Sequence, residues 1–225
     1  MKSSPIRHFA SASASLLMLA ASIIPALGHH PTGGQLPAGI MSGLLSGIGH
    51  PTIGLDHFAF IAGVGIASAF LPRGIIATVA FVAATVAGCA LHLGGMPLPG
   101  AEIVVAGSVL LMGGAIMSGR TMPTLVAAGV FVLCGLFHGY AYGEAIFGAE
   151  QTPVAAYLLG FAAIQTAIAG AAMLITRQLA PSLLAQATPV RLAGAVIAGI
   201  GLTFLVQNVE SIIIPAPAPV VAPSA

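Results

Sequence analysis

The sequence has no tryptophan, only two cysteines and very little charge: Lys and Arg together number 6 and Asp and Glu 5 among 225 residues, or 5% charged. A water-soluble domain carries roughly a quarter charged residues, so this scarcity excludes an ordinary soluble globular protein. The formal net charge of +1 offers no basic surface for nucleic acid. Cys89 and Cys134 both fall inside apolar runs, which argues against a disulfide framework. No phosphate-binding loop with its terminal lysine occurs, so any ATP drive would need a partner.

What is present is apolar. The chain is 58% hydrophobic, with 29 glycines and a mean hydropathy of +1.06. Apolar runs of about twenty residues recur along it, the length that crosses a ~30 Å hydrocarbon core as a helix. The fold class is therefore all-α, a polytopic integral membrane protein embedded in the lipid bilayer. Glycine in such quantity predicts close helix packing through small residues.

Residues Met1 to Gly28 read as a cleavable signal peptide: Lys2 and Arg7, then an apolar stretch around Leu16 to Ile24, then small residues near Ala26 and Gly28. Cleavage after Gly28 exposes His29 as the new N-terminus. Cleavage after Ala26 leaves Leu27-Gly28-His29, whose amine, amides and imidazole suit a square-planar Ni(II) or Cu(II) site. Either cut leaves a His-containing exported leader over residues 29–37, with His29 and His30 as candidate metal ligands beside the alternative of a plain polar leader.

A six-helix transmembrane domain is expected over residues 38–214, followed by a Pro-rich exported tail over residues 215–225. Ala38 to Leu71 is apolar for about 34 residues, or roughly 50 Å of helix, too long for one straight crossing. The expected solution is a broken or re-entrant segment from Ala38 to Gly49, a break near Pro51, and a first full span from Thr52 to Leu71. Later spans are expected at about Gly74 to Leu93, Gly100 to Ser118, Met122 to Phe147, Pro153 to Thr176 and Val190 to Ile213. Six crossings from an exported N-terminus put Arg73, Arg120, Arg177 and Arg191 in inner loops, as the positive-inside rule requires. Glu102, Glu144, Glu150 and Glu210 then fall at or near the outer ends. The expected location is the bacterial cytoplasmic (inner) membrane, with both mature termini on the periplasmic side.

Against that apolar background, Gly47-Ile48-Gly49-His50-Pro51-Thr52-Ile53-Gly54-Leu55-Asp56-His57 stands out. Ionisable groups at membrane depth are costly and mark functional sites by default. Two imidazoles and a carboxylate are borderline ligands suited to Ni(II), Co(II) or Zn(II) and poorly suited to alkali cations. A broken packing helix with buried, hydrogen-bonded histidines is the competing reading.

A second run, Phe137-His138-Gly139-Tyr140-Ala141-Tyr142-Gly143-Glu144, carries another imidazole and a carboxylate. His138 and Tyr142 share a face, whereas Glu144 is displaced by about 120° on an ideal helix. Counted by helix rise from the inner ends, Asp56 lies ~22 Å up, His138 ~24 Å, His92 ~27 Å and Glu144 ~33 Å. They converge in the outer half of the membrane. The candidate metal ligands are thus His50, Asp56, His57, His138, Glu144, His92, His29 and His30. A core histidine at 138, or a water-facing one at 92, remains the alternative at those positions. The shared spacing of His50 to Asp56 and His138 to Glu144 further suggests an inverted three-plus-three repeat.

His50-x5-Asp56-His57 on the first span, together with Phe137-His138-Gly139-x-Ala141-x-Gly143-x-Glu144 on the fourth, resembles the HupE/UreJ family of nickel and cobalt permeases. The likeness extends over essentially the whole mature chain. Tyr142 departs from the family's pattern, in which histidine is frequent at that position, and a phenol is a poorer ligand for Ni(II). The resemblance implies six spans, both termini outside, and secondary, ATP-independent uptake of Ni(II) or Co(II). It implies no enzyme activity and no permanently bound cofactor, the metal being cargo. A non-transporting membrane protein that holds a metal for assembly or sensing of a metalloenzyme is the second functional reading, and a scaffold with buried His pairs the third. Nickel against cobalt, coupling mode and oligomeric state stay open.

Overall fold

The computed structural model describes residues 36–179 and 185–214. The signal-peptide expectation, most of the leader with His29 and His30, and the Pro-rich tail lie outside the described residues. The chain is all helical there: α1 (Ile40–Ile53), α2 (Leu55–Ser68), α3 (Gly74–Leu93), α4 (Ala101–Ser118), α5 (Thr124–Glu144), α6 (Gln151–Leu179) and α7 (Thr188–Ile213). Five of them, α3 to α7, are long and apolar enough to cross a membrane, and α2 is a shorter apolar helix. The protein is a polytopic helical membrane protein.

The later elements sit close to their expected positions because each apolar run ends at a residue that stops it. Arg73 and the Gly94-Gly95 pair bracket α3 at its expected limits, while Gly100 and Gly119, both at positive φ, bracket α4. The first unit differs. The break expected near Gly49 and Pro51 falls instead at Gly54, and Pro51 lies inside the last turn of α1. Proline removes one hydrogen bond and crowds the preceding turn. Here the Thr52 hydroxyl turns back onto the carbonyls of Ile48 (2.9 Å) and Gly49 (2.8 Å), so the helix continues for two more residues. Gly54 then takes an extended ψ of 100° while its N–H still bonds the His50 carbonyl at 3.1 Å. A side chain there would press on the His57 ring, its Cβ 2.9 Å from Cδ2.

Helices pair where backbones can touch. α1 lies along α6, α3 along α5, and α4 along α7. In each pair a glycine admits the neighbour: a Cβ at Gly47 would collide with the Tyr157 carbonyl, one at Gly139 with that of Thr85, and one at Gly113 with the Ala198 backbone. Helix α2 runs among these pairs and touches α1, α3, α4, α6 and α7. Its residues Phe60, Ile61 and Val64 are wholly buried.

The two ends of the bundle carry opposite charge. Arg191 Nε donates to the Met117 carbonyl (2.9 Å) and Thr124 to that of Pro72 (2.9 Å), which draws the loops bearing Arg73 and Arg120 and the start of α7 to one end. At the other end Asn208 of α7 meets the Glu102 carbonyl (3.3 Å), and Tyr140 accepts from the Leu98 N–H (3.2 Å). Alternating helix direction places all four glutamates of the chain at this second end.

Candidate metal centre

The break between α1 and α2 places three ionisable side chains at the bundle's glutamate end. His50 closes α1, while Asp56 and His57 open α2. A carboxylate is favoured in a helix's first turn by the unpaired amides there. Asp56 Oδ1 accepts the His57 N–H at 2.8 Å. His50, Asp56 and His57 keep 7%, 9% and 6% of their surface exposed, whereas His138 keeps none. His138 therefore lies behind the other three.

The rings form one nest drawn from four helices. His57 Nδ1 stands 2.9 Å from His138 Nδ1 on α5, and His138 Nε2 stands 2.9 Å from Ser108 Oγ on α4. Phe60 stacks on the His138 ring at 4.3 Å between centroids. His50 Nδ1 is 3.2 Å from the Tyr157 hydroxyl on α6, which donates to the Tyr142 carbonyl at 3.0 Å. Tyr142 packs against both front histidines, its ring centroid 5.0 Å from that of His50 and 4.4 Å from that of His57. The His50 and His57 centroids are 5.9 Å apart.

The nest holds His50, His57 and His138, with Asp56 beside His57, and adds Tyr142 between the rings. It leaves two candidates outside. Glu144 is exposed at the end of α5. His92 packs edge-on against Tyr140 (4.5 Å) and Phe147 (5.5 Å) near the end of α3, away from the nest. Among the described residues no three His, Cys, Asp or Glu side chains stand close enough together to hold one metal ion. Cys89 is buried without a place among the histidines, and Cys134 neighbours Ser108.

The motifs give no hint of two residues the structure makes prominent. Ser108 and Tyr157 lie on helices without a metal-ligand pattern. The only signal each carries is a polar group inside an apolar run at about the depth of the histidines. Among the described residues three buried side-chain atoms have no partner: His92 Nδ1, Gln165 Oε1 and the Tyr142 hydroxyl. The last lies within the nest, where a small polar ligand would satisfy it.

Toward the arginine end α2, α4 and α5 line a partly open cavity of about 710 Å³. It begins at Phe60, Ser108 and Cys134, beneath the His57–His138 pair, and runs to Arg120, Thr121 and Met122. Its walls are otherwise apolar.

Residues 16–204 match the family model described as HupE / UreJ protein. The chain belongs to the HupE/UreJ family. It is 33% identical over 147 residues to "Protein HupE" of Rhizobium leguminosarum bv. viciae, an alignment that covers 64% of this chain and 73% of that protein. No solved structure matches it. Membership of this family of permeases marks the chain as a transporter rather than an enzyme.

Proposed function

We propose that this HupE/UreJ protein is a secondary, ATP-independent uptake permease for Ni(II) or Co(II), and that His50, Asp56 and His57 receive the ion in the outer half of the membrane. The observation that carries the reading is the nest itself. Three histidines from three helices, with a carboxylate beside them, lie at a helix break in a bundle otherwise almost free of ionisable groups. Imidazole nitrogen and carboxylate oxygen are the donors that suit these metals. In the resting arrangement His57 and His138 pair with each other and His50 pairs with the Tyr157 hydroxyl.

The same reading assigns the arginine end to the cytoplasm, following the positive-inside rule, and the glutamate end to the exported side. α1 and α2 together make a broken entrance segment and the first of six crossings, from an N-terminus left outside by signal-peptide removal. A divalent ion moving inward gains about 2.3 kcal/mol per charge per 100 mV, roughly 4.6 kcal/mol in all, so membrane potential alone can drive uptake. The difficult step is dehydration, which stepwise replacement of water by His50, Asp56 and His57 eases. Carbonyls at the end of α1 add negative character where the cation arrives.

The test is flux through purified protein in sealed vesicles with an inside-negative potential. Accumulation of labelled nickel that excess cobalt suppresses and excess magnesium does not supports the proposal. Nickel binding without flux points to the metal-holding assembly or sensing protein, and neither binding nor flux points to the scaffold.

A further inference from the structure

Neutral imidazole carries one hydrogen and one lone pair, and which nitrogen holds which decides whether it can ligate. In this nest the choice can be traced from the backbone outward. Ser108 donates its hydroxyl hydrogen to the Val105 carbonyl at 2.7 Å, and a carbonyl can only accept. The Ser108 oxygen therefore accepts from His138, which places the His138 hydrogen on Nε2 and its lone pair on Nδ1. His57 Nδ1, 2.9 Å away, must then be the donor. The lone pair of neutral His57 is left on Nε2.

An independent chain fixes His50 in the same way. Tyr157 donates to the Tyr142 carbonyl at 3.0 Å, so its oxygen accepts from His50 Nδ1. The lone pair of neutral His50 is likewise on Nε2. Two relays ending at two different backbone carbonyls thus produce the same tautomer in the two front histidines.

We infer that Ser108 and Tyr157 are positioning residues that never meet the cation, and that they set the tautomers by which His57, through His138, and His50 each offer Nε2 to the incoming metal. The assignment of metal to these rings rests on the proposed function; the tautomers do not. His138 acts here as the backing partner of His57. A ligating histidine whose other ring N–H is held by an acceptor is oriented and made more basic. Without the Ser108 hydroxyl, His138 can move its hydrogen to Nδ1. His57 Nδ1 must then accept, its own hydrogen shifts to Nε2, and the coordinating position is blocked.

The test is nitrogen NMR on metal-free, full-length protein labelled at histidine, recorded where the rings are neutral and assigned with single His→Gln variants. The expected result is His138 with its hydrogen on Nε2 and His50 and His57 with theirs on Nδ1. Ser108→Ala should give mixed tautomers at His57 and His138 and leave His50 unchanged, and Ser108→Thr should restore the wild-type pattern. Nickel affinity should fall about tenfold in Ser108→Ala and recover in Ser108→Thr, the scale on which outer partners affect metal sites. A wild-type His138 with its hydrogen on Nδ1 overturns the inference, with no variant needed. The expected tautomers in a protein that binds no nickel support the relays and contradict the permease reading instead.

Discussion

Two stretches of the same interhelical space differ in kind. Near the glutamate end, α2, α4 and α5 contribute His57, Ser108, His138 and Tyr142, which interlock by hydrogen bonds and ring contacts. Toward the arginine end the same three helices contribute Ile66, Ala67, Leu111, Ile116, Ala127 and Phe131 to an apolar cavity. A cation that has lost water needs replacement donors at every step. The first stretch supplies nitrogen and oxygen; the second supplies carbon walls and a guanidinium, that of Arg120, at its far end. On the proposed function, the cavity would not serve as the ion's path in this arrangement, and release toward the arginine end would require the helices around the nest to move, as in an alternating-access carrier.

That contrast can be broken most directly at the nest. His57→Ala should reduce metal accumulation in cells to background while the protein's level in the membrane is maintained; wild-type uptake would abolish the distinction. Asp56→Asn sharpens it, because the amide keeps the oxygen that accepts the His57 N–H and removes only the charge. Uptake should fall about tenfold if charge matters as well as geometry. At the other extreme, Ala115→Leu, which narrows the apolar cavity, should leave nickel uptake at the wild-type rate. A strong block there would place the cavity on the route.

Much of this architecture is legible from the residues because long apolar runs and their terminators are local signals. Arg73 and Gly94 mark the ends of α3 without reference to anything else. The bend before α2 is less legible, since Pro51 can begin a helix or sit in the last turn of one. The Thr52 hydroxyl and the close contact of Gly54 with His57 select the second outcome. The front of the site, His50, Asp56 and His57, is visible as spacing on one segment. Its back is not. Ser108 and Tyr157 matter only because α4 and α6 bring them to His138 and His50; the glycines repeating every fourth residue, such as Gly43 and Gly47 or Gly135, Gly139 and Gly143, mark faces where helices meet but not which side chains then face each other. Glu144 shows the converse, a motif residue whose helix turns it outward at its end.

The central claim is that the ion is received by the two histidines flanking the α1–α2 break, with His138 behind them. X-ray absorption at the nickel edge of purified protein under saturating metal counts bound imidazoles directly. The account predicts two in the wild type, one in His57→Ala, and still two in His138→Ala; an imidazole count that falls with His138→Ala and is indifferent to His57→Ala would contradict it.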